Sequence, residues 1–191
     1  MSAPILTVAN QLTLLRMGLA PLLVVLVLQG RMGWALGVFV VAGITDALDG
    51  LIARRGGQQT TLGAMLDPVA DKVLMTSSFI ALTWGSGLAV AIPVWLTVVI
   101  LSRDAIIIVS VAIVNLTLGR RIFYPSLLGK LSTVSQLLTV GLVLLANVVG
   151  GGQMLRHLFT VTLVLTVSSA LHYVYLASTR GPGRPPGAPA P

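Results

Sequence analysis

The chain contains no cysteine and no glutamate. Without cysteine there is no disulfide framework and no thiolate metal site, and the redox compartment is left unconstrained. Charge of either sign is scarce: 9% of the 191 residues are charged, whereas 55% are hydrophobic. That balance is too apolar for a soluble domain and belongs to the integral membrane class. Negative charge is the scarcest of all, with five acidic residues against twelve basic ones and a net charge of +7. The basic residues are scattered between apolar runs, so no nucleic-acid partner is expected. Anionic lipid headgroups and phosphate-bearing substrates suit them better. No internal repeat is visible, which withholds support from the repeat-built transporter folds. The first basic residue is Arg16, so no cleaved leader is expected.

What the chain does have is long hydrophobic runs. The expected architecture is an all-α integral membrane protein in three parts. These are a juxtamembrane segment (1–11), a six-helix transmembrane domain (12–179) and a disordered Pro/Gly-rich tail (180–191). Thr7 or Asn10 could cap the first helix. The spans are expected near 12–29, 33–54, 63–84, 89–117 (bent at Pro93), 130–149 and 154–177, each near the ~20 residues that cross a bilayer. Arg54, Arg55, Arg120, Arg121, Lys130, Arg180 and Arg184 fall on one side of this topology, against Arg31 and Arg156 on the other. The positive-inside rule then puts both termini in the cytoplasm.

Four of the five acidic residues lie between Asp46 and Asp71, in the stretch DALDGLIARRGGQQTTLGAMLDPVAD. Carboxylates flanked by apolar sequence are costly and point to function. Asp46 and Asp49 are i,i+3 and Asp67 and Asp71 are i,i+4, so each pair shares a helix face. Two such helices, joined by the polar turn Arg55–Thr61, could bring four negative charges to one spot near the cytoplasmic side. Charges that close require cations between them, and oxygen-only ligands suit Mg²⁺, Mn²⁺ or Ca²⁺ better than zinc. Helix caps could account for one or two of these aspartates, but not for four at matched spacing.

Written as a pattern, the stretch is Asp46-x-x-Asp49-Gly50-x-x-Ala53-Arg54, eight residues, then Gly63-x-x-x-Asp67-x-x-x-Asp71. It resembles, at every position, the signature of the CDP-alcohol phosphotransferases, membrane enzymes that make phospholipids from CDP-linked substrates. Asn10, Leu12, Thr13 and Arg16 are similar to that family's N-terminal segment. The resemblance implies that Asp46, Asp49 and Asp67 bind two divalent cations, Mg²⁺ or Mn²⁺, with Asp71 beside them as general base and within the metal-binding set. It also implies that Asp46, Asp49, Gly50, Ala53, Arg54, Gly63 and Asp67 form the CDP-binding face, the small residues admitting the nucleotide. A homodimer is implied as well. The chemistry is consistent with this. An alcohol attacking a phosphoanhydride needs charge neutralisation and a proton acceptor, which two metals and a carboxylate can supply. Direct in-line displacement is expected, with no Ser, Cys or His nucleophile.

The segments WALGVFVVAGITDALDGLIAR and IPVWLTVVILSRDAIII are similar to the eukaryotic-type cardiolipin synthase branch. Gly129–Gln136 (GKLSTVSQ) resembles a segment shared with phosphatidylglycerophosphate synthases. CDP-diacylglycerol is therefore the expected donor. Phosphatidylglycerol is the preferred acceptor and glycerol 3-phosphate the alternative. Arg103, Arg120, Arg121 and Lys130 are the candidates for the acceptor's phosphate. The expected location is a bacterial-type inner membrane, crossed several times, with the site facing the cytoplasm.

Blander readings compete at several positions. Arg103 and Asp104 are adjacent on one helix and are expected to pair across helices rather than with each other. Arg16 is read as snorkelling, Lys72 as a counter-charge, and His157 and His172 as packing or interfacial residues. Trp34, Trp84 and Trp95 fall near span ends as interface anchors. A divalent-cation or proton-coupled transporter is the rival from another class. It would want carboxylates spread through the bilayer depth, whereas these gather near one face.

Overall fold

In the computed structural model, backbone is described for residues 8–56, 61–118, 127–152 and 155–179, and side chains for 11–48, 69–110, 127–152 and 155–175. Among these residues the chain is all helical: α1 (Val8–Leu28), α2 (Met32–Gly56), α3 (Thr61–Trp84), α4 (Val94–Leu118), α5 (Leu127–Val149) and α6 (Leu155–Thr179). The expected tail, 180–191, lies outside the described residues, as do residues 1–7. Asn10 lies inside α1 and does not cap it.

The distribution of polarity is the reverse of a soluble protein's. Leu14, Leu22, Val25, Ile106, Leu138 and Val164 are exposed, while Thr13, Arg16, Ser78, Thr97, Thr139 and Thr166 are fully buried. Large exposed apolar surfaces of this kind need a non-aqueous surround. Three described stretches are long and apolar enough to cross a membrane: Gln11–Leu28, Leu127–Val149 and Leu155–Tyr175. The protein is an all-helical membrane protein. Trp34, Trp84 and Trp95 are exposed close to helix ends, where an amphipathic ring suits a headgroup region.

Two compact units make up the chain: Met1–Ile92 with Val140–Gln153, and Pro93–Thr139 with Met154–Pro191. In the first, α1 packs against both α2 and α3. Fully buried Ala20, Ala35, Ala42 and Ala70 keep the side chains small at these contacts, the usual means of close helix approach in a membrane. The turn from α1 to α2 is a Schellman motif. Gly30 has a φ of 70°, its N–H bonds to the Val27 carbonyl at 3.0 Å, and the Arg31 N–H bonds to that of Leu26 at 2.9 Å. Glycine is favoured here because it adopts positive φ without strain.

The connection after α3 is irregular rather than helical. The Ile92 N–H bonds to the Leu82 carbonyl at 3.0 Å, and Asn147 of α5 holds Val90 by both of its backbone groups. The bend expected at Pro93 is not there. Instead α4 starts just after Pro93, whose carbonyl accepts the N–H of Leu96 at 3.0 Å and of Thr97 at 3.3 Å. Proline lacks the N–H that a helix interior needs, so it sits more comfortably at a helix start than in a kink.

In the second unit α4 packs against α6, and the first half of α5 meets α6 through a ladder of hydroxyls. Ser132 and Thr166 pair at 3.2 Å, Thr139 and Thr162 at 2.8 Å, and the Gln136 amide donates to Ser132 at 3.3 Å. With no water in hydrocarbon, such groups must find one another.

Candidate active site

Three helices of the first unit converge at the candidate site. Arg16 comes from near the middle of α1, Asp46 from the second half of α2, and Asp71 from α3. Arg16 is fully buried, and its Nη1 lies 2.9 Å from Asp46 Oδ1 and 2.5 Å from Asp71 Oδ1. The two carboxylates are half-exposed, at 50% and 47%. The guanidinium therefore meets them from the interior, while each keeps an accessible side. Charge-assisted bonds at these distances are among the stronger polar contacts a protein makes. They also answer the question a buried arginine poses, since such a charge is tolerated only when paired.

Arg16 is thus not the snorkelling residue expected from the sequence. Two carboxylates on the neighbouring helices draw it inward. The signal was present in the sequence: one arginine in an otherwise uncharged apolar helix, in a chain whose few carboxylates are clustered. Thr13, one turn before it, is also fully buried. The Thr45 hydroxyl, beside Asp46, donates to the Ala42 carbonyl of its own helix at 2.8 Å.

The expected convergence of helices two and three is seen for Asp46 and Asp71. The backbone of α2 runs on through Asp49, Gly50, Ala53 and Arg54, and that of α3 begins before Gly63 and Asp67. The side-chain placement of these six residues lies outside the described residues. Among the described residues no group of three or more His, Asp or Glu side chains is gathered. The fit to a metal rests on Asp46 and Asp71, two accessible carboxylates on separate helices that converge on a single nitrogen. Both donate oxygen only, as a hard divalent cation prefers. His157 and His172 lie on α6, in the other unit.

Of the four acceptor-phosphate candidates, Arg120 and Arg121 lie outside the described residues, and Lys130 is exposed in the first turn of α5. Arg103 lies in the second unit, nearly buried, and corrects the expectation for its neighbour. Its Nη1 donates to Asp104 Oδ1 at 2.9 Å, so the adjacent residues do pair, while its Nη2 donates to Ser169 Oγ of α6 at 2.8 Å. A guanidinium is long enough to fold back over its own helix. In an apolar setting this gives the carboxylate a charged partner at hydrogen-bond distance. Arg103 also lines a groove of about 250 Å³ between α4 and α6, with Val98, Ser102, Ile106, Thr166 and Leu171.

A protein-family model described as CDP-alcohol phosphatidyltransferase matches residues 6–173. The chain is similar to a cardiolipin synthase (CMP-forming) of Rattus norvegicus, with 38% identity over 187 residues, covering 88% of this chain and 61% of the relative. It is 37% identical over 153 residues to a cardiolipin synthase (CMP-forming) of Streptomyces coelicolor, covering 75% of this chain and 67% of the relative. A probable phosphatidylglycerophosphate synthase of Mycobacterium tuberculosis is 38% identical over 152 residues, with coverage of 75% and 68%. The chain thus spans about three fifths of the length of the rat relative.

Proposed function

The chain belongs to the CDP-alcohol phosphatidyltransferase family, and from that premise we propose that it transfers the phosphatidyl group of CDP-diacylglycerol to phosphatidylglycerol, forming cardiolipin and releasing CMP. The observation that carries this reading is the meeting of Asp46 and Asp71, from α2 and α3, on one buried cation. That is where the aspartate motif requires the two helices to converge. The relatives named cardiolipin synthase support the choice of acceptor.

In this reading the hydroxyl oxygen of the acceptor attacks the phosphorus that carries diacylglycerol. A new P–O bond forms, the anhydride P–O bond breaks, and CMP leaves with the electron pair. Asp71 accepts the hydroxyl proton. Asp46, Asp49, Asp67 and Asp71 hold two divalent cations, Mg²⁺ or Mn²⁺, which when bound neutralise the charge of the anhydride and the leaving group. Gly50, Ala53 and Gly63 admit the cytidine nucleotide, with Arg54 beside them. The acceptor's phosphate is assigned to Arg103, Arg120, Arg121 and Lys130, of which exposed Lys130 is the most available among the described residues. No protein nucleophile is used, so one displacement inverts the phosphorus.

The wider setting follows the same premise. All six helices cross the membrane, both termini and the site face the cytoplasm, and the protein is a homodimer of bacterial inner-membrane type. Glycerol 3-phosphate is the second acceptor reading, favoured by the similarity to the mycobacterial phosphatidylglycerophosphate synthase. Family membership leaves the transporter alternative without support.

The test is CMP release by purified protein with CDP-diacylglycerol and Mg²⁺ or Mn²⁺, in the presence of phosphatidylglycerol, glycerol 3-phosphate or no acceptor. CMP dependent on phosphatidylglycerol is the expected result. Dependence on glycerol 3-phosphate alone would shift the reading to phosphatidylglycerophosphate synthesis, and acceptor-independent silence would refute both.

A further inference from the structure

We infer that Arg16 is a positioning residue that serves as the resident cation of the site. It holds Asp46 and Asp71 together before metal arrives, and its charge then opposes that of the bound ions. The inference rests on the metal-ligand reading of Asp46 and Asp71 given above. A single nitrogen of a fully buried guanidinium contacts one oxygen of each carboxylate. Without a cation there, two carboxylates on neighbouring helices would repel each other. With divalent cations bound, the same carboxylates are shared between Arg16 and the metal, and like charges stand close together.

Two sites that interact in this way are coupled, and the coupling is reciprocal. Arg16 stabilises the metal-free protein and weakens metal binding, which keeps the site assembled yet exchangeable. The loss of its charge does not dismantle the site, because α1, α2 and α3 are also held by the buried contacts of Ala20, Leu23, Ala42, Ala70 and Leu74. The charge effect therefore outweighs any loss of order. A purely structural salt bridge behaves differently: its removal costs the same stability with metal or without.

The experiment uses wild type, Arg16→Gln and Arg16→Lys in nanodiscs of neutral lipid, with Mn²⁺ alone as the probe. Thermal midpoints are measured metal-free and Mn²⁺-saturated, and the Mn²⁺ dissociation constant is measured by titration. Arg16→Gln is expected to lower the metal-free midpoint, to recover most of that loss with Mn²⁺, and to bind Mn²⁺ on the order of tenfold more tightly. Arg16→Lys is expected to stay close to wild type. Should Arg16→Gln be recovered only in Mn²⁺ and unfold on chelation, where wild type survives, the same antagonism is shown at its limit. Equal loss with and without Mn²⁺, weaker or unchanged Mn²⁺ affinity, or failure to fold even in Mn²⁺ would overturn the inference while leaving the metal site in place. Absence of any Mn²⁺ effect on wild type would overturn the metal reading and the inference with it.

Discussion

The side-chain amide of Asn147 serves Val90 as a neighbouring strand would. Asn147 Oδ1 accepts the Val90 N–H at 3.1 Å, and Nδ2 donates to the Val90 carbonyl at 2.8 Å and to Val143 at 2.8 Å. This fastens the irregular connection after α3 to the end of α5 within the first unit. Asn147→Leu removes the partner of both backbone groups, and stability should fall by about 2 kcal/mol. Thermal or denaturant unfolding in detergent measures it. Asn147→Asp keeps an acceptor for the Val90 N–H but sets a carboxylate oxygen against the Val90 and Val143 carbonyls, and should lose at least as much.

Asp71 is assigned the acceptor's proton. Asp71→Asn keeps an oxygen for Arg16 but cannot take up that proton, so turnover should fall about 10²- to 10⁴-fold. Binding of CMP or CDP-diacylglycerol should persist, as read by titration calorimetry. Normal turnover in this variant would remove Asp71 from the role of base.

Gly50 is assigned to the nucleotide face of α2. Gly50→Leu should weaken CMP binding while leaving the thermal midpoint within a few degrees of wild type. Unchanged CMP affinity would show that the nucleotide lies elsewhere.

Arg103 and Asp104 form a nearly buried pair. Arg103→Gln takes the opposite charge away from the Asp104 carboxylate and should cost about 3 kcal/mol. The double variant Arg103→Gln with Asp104→Asn should recover much of that loss, a coupling that only a mutant cycle isolates. If the double variant is as unstable as the single, the pair is not what holds this part of α4.

The α5–α6 ladder should behave as a sum of small contributions. Thr139→Val removes the 2.8 Å contact with Thr162 and is expected to cost about 0.6 kcal/mol, a typical value for a hydrogen bond between membrane helices. Unfolding in mixed micelles checks it.

The hydrophobic runs were sufficient to place the six helices, because a segment that must bury its own backbone polar groups in hydrocarbon announces itself by composition alone. The aspartate spacing was sufficient to predict that α2 and α3 bring carboxylates together, and Asp46 and Asp71 do so. Partner choice for the arginines was not legible. Arg16 and Arg103 have long, flexible side chains, and their head-group positions depend on which carboxylate lies nearby in three dimensions. The place of Arg16 in its span suggests snorkelling, and the adjacency of Arg103 and Asp104 argues against the pair they form, although Arg103 does reach across to Ser169 of α6 as expected. Pro93 failed for a simpler reason. A proline near a helix boundary fits either a kink or a start, and only the hydrogen bonds from Leu96 and Thr97 distinguish them.

The burial of Arg16 also bears on how the protein is made. Helix α1 is synthesised before α2 and α3 and is apolar enough to cross a membrane, yet it carries at Arg16 a charge of a kind that costs up to about 2.5 to 3.5 kcal/mol against insertion at a helix centre. Its partner Asp71 lies 55 residues further along the chain. Helix α1 therefore leaves the ribosome before both of its counter-charges, Asp46 and Asp71, are in place. Its settling in the bilayer is tied to the arrival of α2 and α3, so the first three helices have reason to enter the membrane as one cooperative unit.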